Sequence, residues 1–347
     1  MKNDPIETLG LVGGNLLAAM IAVEAQKRGI QTVLLEPEVG NIASEVCNTH
    51  ITAPITTANI KRLALKSDAI IFCTSTIPVL SKDILKTCIT YPKGEGIDFV
   101  ANRVQQLIAC DLTEVPVPNY YHQSNKLTFF KQIADVEMPF RLYQLYPDRY
   151  EVMDIYTKDD LEEFIYELDD SATEWLIEEI HEYDRILSIS VLKAGDKVYT
   201  YPIQEEILND EAVKYIYMPA SITKTMQGKI TKLAKKLLKE VGTEGLFTLK
   251  FGMKKNRQIE LMNVNPGITV GDIATNHYTD FSIYEQFLNL VEGLPVKDGE
   301  LVKPSVTTVI KESDVSHRPD FPYHRYTFDR YNKLPVNIYI KENITEA

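Results

Sequence analysis

The residues best spaced to do chemistry lie in Phe247–Gly267, FTLKFGMKKNRQIELMNVNPG. Phe247, Leu249 and Phe251 alternate with Thr248, Lys250 and Gly252, the period of a half-buried strand. Lys254-Lys255-Asn256-Arg257 is a polar turn. The second strand, Ile259–Val264, runs into Asn265-Pro266-Gly267, where Pro266 and Gly267 end it. Strand parity puts Thr248, Lys250, Asn263 and Asn265 on one face of this hairpin. That face carries no anionic oxygen, the ligand type that magnesium requires. Glu260 is not expected to supply one, because it stands three residues from Asn263 and so points to the other side of its strand.

A second constellation opens the chain. Thr8–Val12 is a short apolar strand, Gly13-Gly14 a tight turn, and Leu16–Arg28 a helix with Leu17, Met20, Ile21 and Ala25 on one face. Thr32–Leu35 is the next strand and ends at Glu36-Pro37, which completes a βαβ unit. Gly13, Gly14 and Asn15 are candidates for holding a phosphate at the helix N-terminus. Equally, the glycines can serve only to let strand and helix pack closely.

Further elements must position both constellations. The α/β alternation continues through a helix at Ile60–Ala64, a buried strand at Ala69–Phe72 and a helix at Pro78–Lys86. An amphipathic helix follows over Phe99–Cys110, with Val100, Val104, Leu107 and Ile108 inward. Val115-Pro116-Val117-Pro118 marks a boundary. Beyond it, an α+β segment has a helix at Asn125–Ala134, paired strands at Phe140–Leu145 and Tyr150–Ile155, and a strand at Thr173–Glu178. Its helix Asp159–Leu168 turns Leu161, Phe164, Ile165 and Leu168 inward and a run of acids to solvent. From Arg185 the pattern is strand-rich, with one long helix, Thr225–Val241, whose lysines lie opposite its apolar stripe and which Gly242 caps. A helix at Phe281–Val291 and a β-rich cap close the chain. The expected domains are 1–116, 117–182 and 183–347.

The 347 residues, 44% apolar and 25% charged, suit a globular protein of two or three domains. A net charge of −12 argues against nucleic acid or an anionic membrane as partner. Cys47, Cys73, Cys88 and Cys110 have no CxxC spacing and read as buried, reduced thiols. No apolar run reaches the roughly 18 residues of a membrane span, and no targeting segment is evident, so the cytoplasm is the expected location.

The hairpin resembles the metal-binding hairpin of the ATP-grasp ligases, in which a Glu on the first strand and a Glu-x-Asn-Pro-Arg on the second hold magnesium. Lys250 stands at the first acid, Asn263 at the second and Gly267 at the Arg, while Asn265 and Pro266 are kept. Over about 290 residues the chain is similar to one family, the ATP-dependent carboxyaminoimidazole ribonucleotide synthetases (the PurK type). The match runs through Gly13-Gly14-Asn15-Leu16, Leu35-Glu36-Pro37, Arg103, Glu178-Glu179, Tyr183-Asp184-Arg185, Tyr201-Pro202, Glu205, Tyr284-Glu285-Gln286 and Gly293-Leu294-Pro295. The resemblance implies a three-domain ATP-grasp fold of α/β and α+β type. Its parts are a Rossmann-like pre-ATP-grasp domain, a small central α+β domain, and a C-terminal α+β domain with a β cap. It also implies a homodimer.

The departures from the family concern its ATP chemistry. Tyr143 stands at one triphosphate lysine and Leu107 at another. Tyr146-Pro147-Asp148-Arg149-Tyr150 replaces the glycine-rich lid, Glu205-Glu206-Ile207-Leu208 replaces Glu-Asn-x-His, and Gly271-Asp272-Ile273 replaces Ser-Gly-His. The resemblance therefore implies a scaffold that has lost its ligase activity and serves as a ligand-binding or regulatory protein. A nucleotide cleft would be lined by Glu178, Glu179, Tyr143 and Asn265; ATP or another nucleotide is a possible ligand, and magnesium a doubtful one. A protein partner is the other possibility. The alternative is an active synthetase whose site is rebuilt from Glu178, Glu179, Glu205, Glu206 and Asp272. A dehydrogenase reading of the glycine turn is poorer, since the full GxGxxG is missing.

Overall fold

A computed structural model describes residues 5–74, 84, 87–94, 96–146, 150–168, 171–209, 212–311, 323–331 and 334–342. Of the expected helix Pro78–Lys86 only Ile84 is among the described residues, and the lid-region residues 147–149 lie outside them. Among the described residues, no helix is long and apolar enough to cross a membrane.

The first sheet is wholly parallel. It comprises β1 (Thr8–Val12), β2 (Gln31–Leu35), β3 (Thr49–Ile51), β4 (Ala69–Phe72) and β5 (Ile89–Tyr91), in the order β3-β2-β1-β4-β5. Both faces are covered, which is why its strands read as continuous apolar runs. Leu9, Leu11 and Leu34 pack against α1 (Leu16–Lys27), and Val12, Val33 and Leu35 against α2 (Thr57–Ala64). The residues from Phe99 form two helices, not one: α3 (Gly96–Ala101) and α4 (Arg103–Thr113). Asn102 breaks them apart because its side chain accepts the Val104 and Gln105 amides as the N-cap of α4. The break rotates the inward face of α4 so that Val104 and Leu107 are buried and Ile108 is 44% exposed.

The central sheet is antiparallel, with β6 (Tyr120–Gln123), β7 (Phe140–Leu145), β8 (Tyr150–Ile155) and β9 (Glu174–Glu179) in the order β6-β9-β7-β8. One face buries Phe140, Trp175 and Ile177 beneath Phe129 of α5 (Lys126–Asp135) and Phe164 of α6 (Lys158–Tyr166). Ile165 is 40% exposed, since α6 meets the sheet chiefly through Phe164. The other face carries Tyr143 and Leu176 against Val104 and Leu107 of α4.

The third sheet holds the remaining strands: β10 (Arg185–Ala194), β11 (Lys197–Thr200), β12 (Gln204–Asn209), β13 (Ala212–Met218), β14 (Gly245–Met253), β15 (Ile259–Pro266), β16 (Ser305–Lys311), β17 (His324–Tyr331) and β18 (Leu334–Glu342). Its order is β15-β14-β10-β12-β13-β16-β18-β17, with β11 beside β10. Leu187, Ile189, Leu249 and Phe251 bury one face under Ile230, Ala234 and Leu237 of α7 (Lys224–Val241). The opposite face is polar: Ser188, Ser190, Gln204, Glu206 and Thr248 are all buried there, and Lys250 is half-buried. Two helices follow, α8 (Thr275–Tyr278) and α9 (Ile283–Val291), and α9 packs on α1. The four cysteines are free; Cys73, Cys88 and Cys110 are buried, and Cys47 is half-buried.

Candidate functional site

The hairpin has the expected register, with Lys250 opposite Asn263 and Thr248 opposite Asn265. The expectation for Glu260 is overturned. A β-bulge between Lys250 and Phe251 skips Met262, so that Phe251 faces Leu261 and Gly252 faces Glu260. One extra residue reverses parity. Glu260 therefore shares the face of Lys250 and Asn263. It is not free for a ligand there: its carboxylate accepts from Lys254 Nζ at 2.7 Å and Tyr183 Oη at 3.0 Å, and His181 Nδ1 lies 2.7 Å away. Burial works to raise the Glu260 carboxyl, but Lys254 and His181 outweigh it and hold it below the usual carboxylate range. Gly252 is needed at this point because a Cβ would lie 2.3 Å from the Tyr183 ring.

Lys250 also has an internal partner. Its ammonium donates to Glu206 Oε2 at 2.8 Å. The two residues sit on β14 and β12, with β10 between them, about 9.5 Å of sheet. The small Ser188 is what stands opposite Lys250 on β10, and it lets the long side chains meet above the strand. The Glu206 side chain is 2% exposed and that of Lys250 is 26% exposed. Next along the face, Asp272 is fully buried and accepts from Ser190 Oγ, Gln204 Nε2 and both the amide and hydroxyl of Thr269. Burial raises its carboxyl in spite of these donors.

The central sheet supplies the opposing groups. Arg103, the first residue of α4, forks onto both oxygens of Glu178, with Nε at 3.0 Å, and Tyr143 Oη donates to the same carboxylate at 3.3 Å. Leu107 and Tyr143 do not face open space; with Val104 and Leu176 they form one buried cluster. Gln106 ties this cluster to the hairpin, accepting from Arg103 and Val264 N and donating to Val264 O at 2.8 Å. Glu179 accepts from Asn119 at 2.8 Å, and His181 Nε2 stands 3.2 Å from it. Asn265 is exposed beside Asn263. Glu205 alternates away from Glu206 and pairs with Arg185.

At the glycine turn, Gly13 has φ +97°, which only glycine adopts without strain. The Gly14 amide, the group a phosphate would approach, donates to Glu36 at 2.7 Å. Asn15 caps α1 through Ala18 N and donates its amide to the Cys73 carbonyl. A Cβ on Gly14 would lie 2.5 Å from Asn41, so close packing accounts for that glycine as well. Gly267, at the end of the hairpin, abuts Leu17 of α1. The structure thus brings Lys250, Asn263 and Asn265 together, and separately Tyr143 and Glu178. Sequence reasoning places Tyr183 only in the family match and Lys254 only in the turn, and does not single out His181 or Ser188; the contacts these four make cross from strand to strand.

The magnesium fit fails on donor chemistry. Lys250 places an ammonium in the hairpin face and Asn263 is a neutral amide, while Glu206 and Glu260 are each engaged by a lysine. Among the described residues, no group of three or more His, Cys, Asp and Glu side chains is arranged to hold a metal.

Three sheets in this order, with the hairpin at the edge of the third, are the ATP-grasp fold, and residues 109–266 match the model of the ATP-grasp domain. The particular relatives are synthases of N5-carboxyaminoimidazole ribonucleotide. The Staphylococcus aureus enzyme is 23% identical over 337 residues, covering 92% of this chain and 88% of its own. The Bacillus subtilis enzyme is 23% identical over 312 residues, covering 87% and 80%. Among solved structures, the S. aureus N5-carboxyaminoimidazole synthetase complexed with ADP superposes with a TM-score of 0.82 at 19% identity, over 99% of this chain and 95% of that one. The Aspergillus clavatus carboxyaminoimidazole ribonucleotide synthase complexed with ATP gives 0.81 at 18% identity, over 98% and 94%.

Proposed function

We propose that this chain is a non-catalytic relative of the N5-carboxyaminoimidazole ribonucleotide synthases, acting as a ligand-binding or regulatory protein. The observation that carries the proposal is the Lys250–Glu206 ion pair. At the position where the resemblance puts the first metal acid, a lysine is neutralised from within the same sheet. Phosphoryl transfer depends on cations that neutralise the phosphate oxygens. Two further cation positions, Leu107 and Tyr143, have become part of a packed apolar cluster. Relatives have been crystallised with ADP and with ATP; on this reading, a nucleotide that enters the cleft of this chain binds it without magnesium.

The reading with a rebuilt site gains no observation in its favour. Of the acids it would recruit, Glu178 is held by Arg103, Glu205 by Arg185, Glu206 by Lys250 and Asp272 by four donors, and Glu179 lies against Asn119 and His181.

Calorimetric titration of the full chain with ATP, ADP and AMP, with and without magnesium, tests the proposal. The expected result is no binding, or binding whose affinity magnesium leaves unchanged. Magnesium-dependent ATP binding, followed by ATP hydrolysis that requires the aminoimidazole ribonucleotide, would overturn it. Homodimer formation is part of the same proposal and is checked by sedimentation equilibrium.

A further inference from the structure

The 3-10 turn Val270–Ala274 packs on β13 and β16 and carries Asp272 into the interior. Asp272 is 0% exposed, and among the described residues it pairs with no lysine, arginine or histidine. Its two oxygens are unequally served. Oδ2 accepts from Ser190 Oγ at 2.8 Å, Thr269 N at 2.8 Å and Thr269 Oγ1 at 3.1 Å. Among the described residues Oδ1 accepts only from Gln204 Nε2, at 2.7 Å. A carboxylate oxygen has two lone pairs, so Oδ1 can take one ligand more. Gly271 lets the turn come this close to the sheet, since a Cβ there would run into Gln204 and Ile216.

Two buried hydroxyls converge on the same carboxylate. Tyr284 of α9 is 1% exposed, and Tyr201, just after β11, is 3% exposed. Neither hydroxyl has a hydrogen-bond partner among the described residues. Burial pushes both phenols up, and of the charged groups around each, Asp272 adds most to that rise. Both oxygens therefore lie within reach of the Asp272 charge and outside hydrogen-bond distance of it. Ser305 Oγ, fully buried on β16 and likewise without a partner among the described residues, is on the side that the turn covers. Ser305 stands opposite Met218, two residues from the Ile216 that meets Gly271, and so shares its face. A buried carboxylate without a counter-ion and buried hydroxyls without partners are each costly.

We propose that Asp272, Tyr201 and Tyr284 bind a monovalent alkali cation. Asp272 Oδ1 supplies the charge. The two hydroxyls keep their protons and supply neutral oxygens. One carboxylate matches one positive charge, whereas magnesium or calcium asks for more anionic oxygen than these three residues hold. A water molecule in the same place would join the hydroxyls to Oδ1 and leave the carboxylate charge unbalanced. The inference is independent of what the cleft between the central and third sheets binds.

The test is the melting temperature of the full chain at one pH in about 0.2 M sodium, potassium or tetramethylammonium chloride. Tetramethylammonium is too large for a buried oxygen site. Sodium or potassium is expected to raise the melting temperature over tetramethylammonium by about 2 °C or more. Tyr201→Phe/Tyr284→Phe keeps Asp272 and its donors. In tetramethylammonium this variant is expected to melt no lower than the native chain, since it removes two buried hydroxyls that lack partners. It is expected to lose most of the gain from sodium or potassium. Asp272→Asn is expected to lose that gain entirely; should it not fold, the Phe pair decides alone. Equal melting temperatures of the native chain in all three chlorides overturn the proposal and leave water as the occupant. So does a gain that the Phe pair keeps in full.

Discussion

Removing Lys250 and removing Glu206 are expected to have unequal costs. The Glu206 side chain is 2% exposed, and among the described residues one of its oxygens has no hydrogen-bond partner, so Lys250→Ala leaves a buried carboxylate without a counter-ion. Breaking a buried pair from one side typically costs about 3–5 kcal/mol. Glu206→Gln leaves an ammonium that can still reach water, and is expected to cost less. The double variant Lys250→Met/Glu206→Leu is expected to fall within about 1 kcal/mol of the native chain, since apolar replacement of both partners removes the desolvation penalty. Urea unfolding of the three variants decides this; a Lys250→Ala midpoint equal to the native one would mean that Glu206 is not held by the lysine. A second residue-scale prediction concerns His277, whose ring is depressed from 6.5 to about 4. The folded chain binds the proton less well than the unfolded chain there. Its contribution is therefore complete above pH 6.5 and is lost as pH falls toward about 4. The ring is partly exposed, so screening limits the effect to about 1 kcal/mol. Stability measured from pH 7 to 4.5 is expected to fall less steeply in His277→Gln than in the native chain.

Helix and strand ends carry the next set of effects. Asn102 ends α3 and caps α4, and α4 in turn aims Arg103 at Glu178. Asn102→Ala is expected to cost about 1 kcal/mol, read as a drop in melting temperature, and to loosen the Arg103 fork without abolishing folding. The sequence reads as one helix through Phe99–Cys110, because the apolar spacing of Val100, Val104 and Leu107 continues unbroken across Asn102. Only the capping bonds divide it. The hairpin shows the same division. Alternation alone gave the shared face of Thr248, Lys250, Asn263 and Asn265, because parity is a local property. The bulge at Met262 has no glycine or proline to announce it, so the position of Glu260 was not legible. The Lys250–Glu206 pair was further out of reach. It joins residues 44 apart in sequence through a third strand, and strand order in a sheet of this kind is set by tertiary packing. Fold class was readable through the family resemblance, and that residues 250 and 263 carry no carboxylate was readable from the residues themselves. The packing of Leu107 against Tyr143 was not, since the two meet only after α4 docks on the central sheet.

Across the whole molecule, metal binding and triphosphate binding should be separable, because different sheets would supply them. Lys250→Glu/Asn263→Glu places two carboxylates at opposed positions on β14 and β15, beside Glu206. Three carboxylates at such spacing repel one another, and a divalent cation relieves that repulsion while finding the oxygen ligands it needs. The double variant is therefore expected to be less stable than the native chain without metal, and to regain stability with manganese, which also allows binding to be counted by electron paramagnetic resonance. Native chain under the same conditions is expected to bind none. ATP is a separate matter. On the proposed reading its phosphates would also need cations at Leu107 and Tyr143, and those two side chains are packed into a core with Val104 and Leu176. Putting lysines there buries ammonium groups in an apolar cluster, a cost that surface charge does not carry. The expected outcome is a variant whose manganese affinity is indifferent to ATP. Manganese binding that tightens tenfold or more with ATP would mean that the hairpin acids alone set nucleotide binding, and that the apolar cluster between α4 and the central sheet does not close the site.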